Sequence, residues 1–186
     1  MIFFLVLSKV KILMLDKIAI IGSRDLSHRS FFELVDLVKK ELNLDEHTTG
    51  DKTLISGGSS WADFIAVFLK SMYPHLSLEL YLPSNFSRKG FESTVGDNGA
   101  AKTLNMLHEE FYNKTGINSI KLMYDVSLMD NVVYNVIPGF LPRNDAIALN
   151  CDVVIALSQG KDTPDSRGTS YTWNKCKSKK RIHISV

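Results

Sequence analysis

Ile18-Ala19-Ile20-Ile21-Gly22-Ser23-Arg24 decides the fold: a short apolar run ends in glycine and opens onto a segment of helical period. Continuous apolar residues without polar alternation describe a strand covered on both faces, as in a parallel sheet. Leu54-Ile55-Ser56-Gly57-Gly58-Ser59-Ser60 repeats the device further along the chain. A strand that ends in glycine before a helix start leaves backbone N–H groups beside the positive end of the helix dipole, a setting suited to phosphate.

Outward from these turns the period changes. Phe31, Leu34, Val35, Val38 and Leu42 share one stripe, with Ser27 or Ser30 as N-cap, which predicts a helix over residues 27–42. After a polar turn over 43–52 and a second strand over 53–56, Trp61, Phe64, Ile65, Phe68 and Met72 repeat the helical spacing until Pro74 stops it. A third strand follows over 76–82. Strand, helix, strand, helix, strand with such connections builds a parallel sheet through right-handed crossovers. The predicted fold class is therefore α/β, a Rossmann-like doubly wound, mostly parallel sheet with helices on both faces.

Residues 84–142 break the rhythm. They hold the turn Gly96-Asp97-Asn98-Gly99, a helix over 100–113 and a strand-like stretch over 117–124, and together read as an insertion or lid over a site. Regularity returns with a helix over 143–150, a strand over 152–157, a helix over 168–177 and a closing strand over 181–186. Residues 17–186 make one domain, and residues 1–16 an extension to which no function is given.

Composition bounds the function. The chain has 186 residues, 45% hydrophobic and 23% charged, which suits a single soluble globular domain. A net charge of +2 gives no general electrostatic case for nucleic acid. Lys175, Lys177, Lys179, Lys180 and Arg181 read as a solvated face rather than a polyanion patch. The apolar run over 2–7 is too short for a bilayer, and Lys9 and Lys11 follow it, the wrong order for a secretory signal. Cys151 and Cys176 lack paired metal spacing and are expected as thiols in a reducing, cytoplasmic compartment; neither reads as a nucleophile. His28, His47, His75, His108 and His183 are scattered without ligand spacing, so neither a metal nor another cofactor is expected.

Four places carry a family resemblance. Ile20-Ile21-Gly22-Ser23-Arg24, Ser56-Gly57-Gly58-Ser59-Ser60-Trp61-Ala62-Asp63, Pro142-Arg143-Asn144-Asp145-Ala146-Ile147, and Asp152-Val153-Val154-Ile155-Ala156-Leu157 with Gly168-Thr169 stand in order along the chain. Together they resemble the SLOG superfamily, which joins the DNA-processing protein A proteins and the Lonely Guy phosphoribohydrolases. The resemblance implies a Rossmann-like nucleotide site and association into homo-oligomers. The chain departs from the Lonely Guy pattern where a polar loop separates Gly160 from Gly168-Thr169, and where Ser170, Tyr171, Thr172 and Trp173 offer no carboxylate in place of the catalytic Glu.

The candidate ligand residues follow. Gly22 and Ser23 allow close approach of a phosphate and Arg24 offers a bidentate donor, against the plainer reading of a strand end with a surface arginine. Gly57, Gly58 and Ser59 form the second turn, either facing a ligand or simply turning the chain. Arg143 sits where the sequence predicts a helix start; a cation there opposes the dipole and calls for an anion, with phosphate the economical choice. Asn144 and Asp145 would contact a sugar, orient Arg143 or cap the helix. Gly168, Thr169 and Ser170 open the last helix with hydroxyls and free N–H groups. Trp61 is expected in the core, and Glu79 in solvent. For catalysis the weak candidates are Asp145, Asp63 and Glu92.

The leading expectation is a module that binds a nucleotide or nucleotide-derived molecule for sensing or sequestration. The alternative is a hydrolase of the N-glycosidic bond in a nucleoside phosphate or NAD-like molecule, which needs a carboxylate near the anomeric carbon. Single-stranded nucleic-acid binding is the third reading. It predicts a steep salt dependence.

Overall fold

The computed structural model describes residues 16–45, 52–176 and 179–186. Its centre is a six-stranded sheet in the order β6-β3-β2-β1-β7-β8. The strands are β1 (Asp16–Gly22), β2 (Lys52–Ser56), β3 (Ser77–Leu82), β6 (Val132–Val136), β7 (Val153–Ser158) and β8 (Lys180–Ser185). Every neighbouring pair in the sheet is parallel. The chain works outward from β1 to β6, then returns to the other side of β1 for β7 and β8. Strand order reverses between β1 and β7, so the crossovers leave on opposite sides and a crevice opens at their carboxyl ends.

The apolar run Ile18–Ile21 is explained by this centre. Ile18 and Ile20 point into the larger core with α1 (Phe31–Leu42), α2 (Ala62–Met72), α3 (Ala100–Thr115) and α4 (Ser119–Ser127). Ala19 and Ile21 point into a smaller core with α5 (Phe140–Asn150) and α6 (Arg167–Lys175). The larger core is aromatic: the Phe31, Phe64 and Trp61 rings meet Phe111 at centroid separations of 5.1–5.4 Å. The smaller one is built on Ala19, Ala148, Ala156, Cys151 and Cys176, which brings its helices close to the strands.

Several boundaries move for local reasons. The first helix begins at Phe31 rather than residue 27, because Ser30 forms a capping box with Glu33 that fixes the entry. The helix expected from residue 143 begins a turn earlier, at Phe140. Residues 117–124 are not a strand: Asn118 accepts the Lys121 N–H at 2.9 Å and starts α4, with Met123 and Val126 buried. Nor is the stretch after β3 foreign to the fold. It makes a hairpin of β4 (Asn85–Ser87) and β5 (Gly90–Glu92), then α3, α4 and the sheet strand β6. Glu79 is not solvated; it pairs with Lys17 at 2.6 Å and accepts the Tyr81 hydroxyl at 2.9 Å. The extension over residues 1–16, apart from Asp16, lies outside the described residues. Among the described residues no helix is long and apolar enough to cross a membrane.

Candidate functional site

The switch between β1 and β7 opens into a cleft of about 480 Å³. The end of β1 supplies Ile21, Gly22 and Arg24, the second glycine turn Ser59 and Asp63, and α3 Leu107. From the opposite side α5 brings Phe140, Arg143 and Asn144, and α6 brings Ser166, Arg167, Gly168, Thr169 and Thr172. All four sequence motifs thus reach one place. Three arginines face one aspartate among the lining residues.

Arg143 and Asp63 form the buried heart of the cleft. Arg143 Nη1 donates to Asp63 Oδ2 at 3.1 Å, with the two side chains 7% and 9% exposed. Burial lifts the Asp63 carboxyl above its ordinary range and draws Arg143 down, while the attraction between them opposes both shifts. The anion that Arg143 demanded from the sequence is therefore a side chain of α2. The Arg143 Nε is buried with no acceptor among the described residues. An orphaned buried donor costs about 1–3 kcal/mol, so an incoming acceptor is favoured there.

Arg24 adds a second positive charge. Its guanidinium and that of Arg143 each stand 5.7 Å from the centroid of the Phe140 ring, and its charge depresses the Arg143 pKa. Arg167, the first residue of α6, is the third. Arg167, not Arg143, is the cation that opposes a helix dipole, since Arg143 lies a turn inside α5 and Arg167 has no ion pair among the described residues. Beside it the first N–H groups of α6 lack intrahelical acceptors, as in every α-helix. The sequence reading passed over Arg167, Phe140, Leu107 and Thr172. The signal for Arg167 was present: a basic residue directly before Gly168-Thr169 at a helix start.

Gly22 and Gly168 line the cleft, and the glycines of both turns also serve packing. A Cβ on Gly22 would strike the Ala62 side chain and the Leu157 carbonyl, so this glycine lets strand and helix close together. A Cβ on Gly57 would land on the Arg143 guanidinium. Gly58, at φ +72°, donates its N–H to Ser56 Oγ at 3.1 Å, and its carbonyl meets His108 Nε2 at 3.0 Å. The Ser23 N–H goes to the Leu157 carbonyl at 3.0 Å. Neither Ser23 nor Gly58 lines the cleft, and both of those N–H groups have partners within the fold.

Other candidates stand away from the cleft. Asp145 is on the surface, where it takes the Tyr171 hydroxyl at 2.8 Å and Lys175 at 3.3 Å and links α5 to α6. The Tyr171 hydrogen bond lowers its pKa. Glu92 is exposed at the end of β5. The Ser170 hydroxyl turns to the Pro164 carbonyl. Among the described residues Asp63 is the only carboxylate lining the cleft. Trp61 is buried, as expected, at φ +56° before α2.

No family model and no solved structure matches the chain. An uncharacterized protein of Acanthamoeba polyphaga mimivirus is 36% identical to it over 162 residues, covering 87% of this chain and 86% of the viral one. The chain belongs to the family of that protein.

Proposed function

We propose that this protein binds a nucleotide or nucleotide-derived small molecule by its phosphate and holds it for sensing or sequestration. The observation that carries the reading is the convergence of Arg24, Arg143 and Arg167 on the start of α6, with Asp63 the single opposing carboxylate among the described residues. Guanidinium donors and unpaired helix N–H groups are the partners a phosphate takes. Ile21, Leu107 and Phe140 give an apolar wall for the rest of the ligand. Membership of the SLOG superfamily belongs to the same proposal, supported by the order of the four motifs along the chain.

Cleavage is the weaker reading. A glycosidic hydrolase needs a carboxylate free to face the anomeric carbon, and Asp63 is engaged with Arg143. Isothermal titration against mononucleotides, cyclic nucleotides and NAD-derived molecules is expected to find a ligand well below about millimolar Kd, with no free base released on incubation. Binding weaker than that across the panel defeats the proposal, and released base replaces it with the hydrolase. Affinity that collapses steeply with salt for single-stranded oligonucleotides points to the third reading.

A further inference from the structure

Cys151 and Cys176 end α5 and α6, the two helices whose amino-terminal turns form one wall of the cleft. Both are free and buried, with their sulfurs 3.7 Å apart in a thiol–thiol contact. They are far apart in sequence, and nothing in the proposed binding chemistry uses them. Asp145, through Tyr171 and Lys175, forms a second link between the same helices. We infer that Cys151 and Cys176 are an oxidisable pair that closes into a disulfide with hydrogen peroxide and braces the α5–α6 wall.

The two sulfurs have different parts. A hydrogen bond from Cys151, with Lys179 and Arg181 nearby, holds the Cys176 thiol below its ordinary pKa against the opposing effect of burial. The same contact and burial push Cys151 up. Cys176 therefore attacks as the thiolate, the reactive form. Its sulfur bonds to one peroxide oxygen, the O–O bond breaks, and the departing hydroxide takes up the proton that Cys176 released. Water leaves and Cys176 is a sulfenic acid. The Cys151 sulfur then attacks that sulfenic sulfur; the S–O bond breaks and the hydroxide leaves with the Cys151 proton as a second water. Two thiols have lost two electrons to one peroxide. Peroxide is close to water in size and reaches a buried thiol through local opening of the helix ends.

The bond joins the carboxyl ends of two helices that present Arg143, Asn144, Arg167 and Thr169 at their other ends. Cross-linking restricts their separation, so opening of the α6 start becomes rarer.

The whole chain is treated with peroxide, denatured and alkylated for mass spectrometry, while hydrogen exchange is followed over residues 166–170. The expected result is a monomer that has lost two hydrogens, alkylates at neither cysteine and returns to the thiol form with dithiothreitol. Exchange at the α6 start is expected to slow by about tenfold or more. In Cys151→Ser, which keeps a hydroxyl donor beside Cys176 but cannot form the disulfide, Cys176 is expected to trap dimedone as a sulfenic acid. Persistent alkylation of both thiols, disulfide-linked dimers or stable sulfinic acid overturns the inference, and a disulfide without slowed exchange overturns the bracing. These measurements need no nucleotide ligand, so they stand apart from the test of the binding proposal.

Discussion

Lys70 and Arg143 are both buried cations, and they are satisfied in opposite ways. Lys70 directs its three donors at the carbonyls of Pro74, Leu76 and Asp130, the last two at 2.7 and 2.8 Å. Each donor has an acceptor, and the group ties the end of α2 to the approach of β6. Arg143 has one carboxylate at one end, a like charge in Arg24 nearby and a buried Nε with no acceptor among the described residues. A closed set of partners marks a structural charge. An open one beside a cleft marks a place where a ligand completes the set.

The sharpest way to break this contrast is Arg143→Met. It strands the Asp63 carboxylate in the interior, a loss on the order of 4 kcal/mol in urea unfolding near neutral pH. The stranded carboxyl has a folded pKa above its unfolded value, so the native state binds more protons and the deficit shrinks as pH falls through that folded pKa. Nucleotide binding is lost as well. Lys70→Met comes next, with about 3 kcal/mol lost because three carbonyls lose a charged donor. Ligand affinity in this variant is expected to match the parent, and a comparable loss of binding would erase the distinction between the two cations.

His108 sharpens the comparison as a buried titratable ring whose two nitrogens both have partners. Its Nδ1 lies 2.7 Å from Ser119 Oγ and its Nε2 3.0 Å from the Gly58 carbonyl, so the neutral ring with Nε2 protonated satisfies both contacts. Burial pulls its pKa from 6.5 to about 4. Between those values the unfolded chain binds more protons than the native one, so stability falls as pH drops. The expected loss is on the order of 2 kcal/mol between about pH 7.5 and 5, measured by denaturant titration against His108→Gln, which lacks this component. The smallest effect belongs to Arg167→Gln. Removing a cation from the positive end of α6 is expected to raise Tm slightly while weakening nucleotide binding about tenfold. A neutral effect on affinity would remove Arg167 from the site.

The doubly wound core was legible because its signals are local. Alternate residues of Ile18–Ile21 serve two cores, and the stripes of α1 and α2 repeat with helical period. The strand β6 escaped because Val132–Val136 is short and edge-placed, with Val133 and Tyr134 half exposed. Around the start of α4 the β-favouring residues Ile117, Ile120 and Tyr124 concealed the cap at Asn118. At the site, both glycine turns and the need for an anion near Arg143 could be read. Which anion could not, since Asp63 lies 80 residues away and reaches Arg143 only after the sheet has assembled. The N–H groups that made the turns attractive as phosphate cradles were likewise taken by partners that sequence spacing does not reveal.

Gly57 has an evolutionary consequence. Because a methyl group there would occupy the space of the Arg143 guanidinium and press on Asp63 Oδ2, positions 57, 63 and 143 are bound to drift together. A lineage that keeps the arginine reaches alanine at 57 only by displacing the guanidinium from its place beside Asp63, whatever a stiffer turn contributes. One that abandons the arginine still meets the Asp63 carboxylate there, so its descendants are free to fill the gap only once position 63 has changed as well.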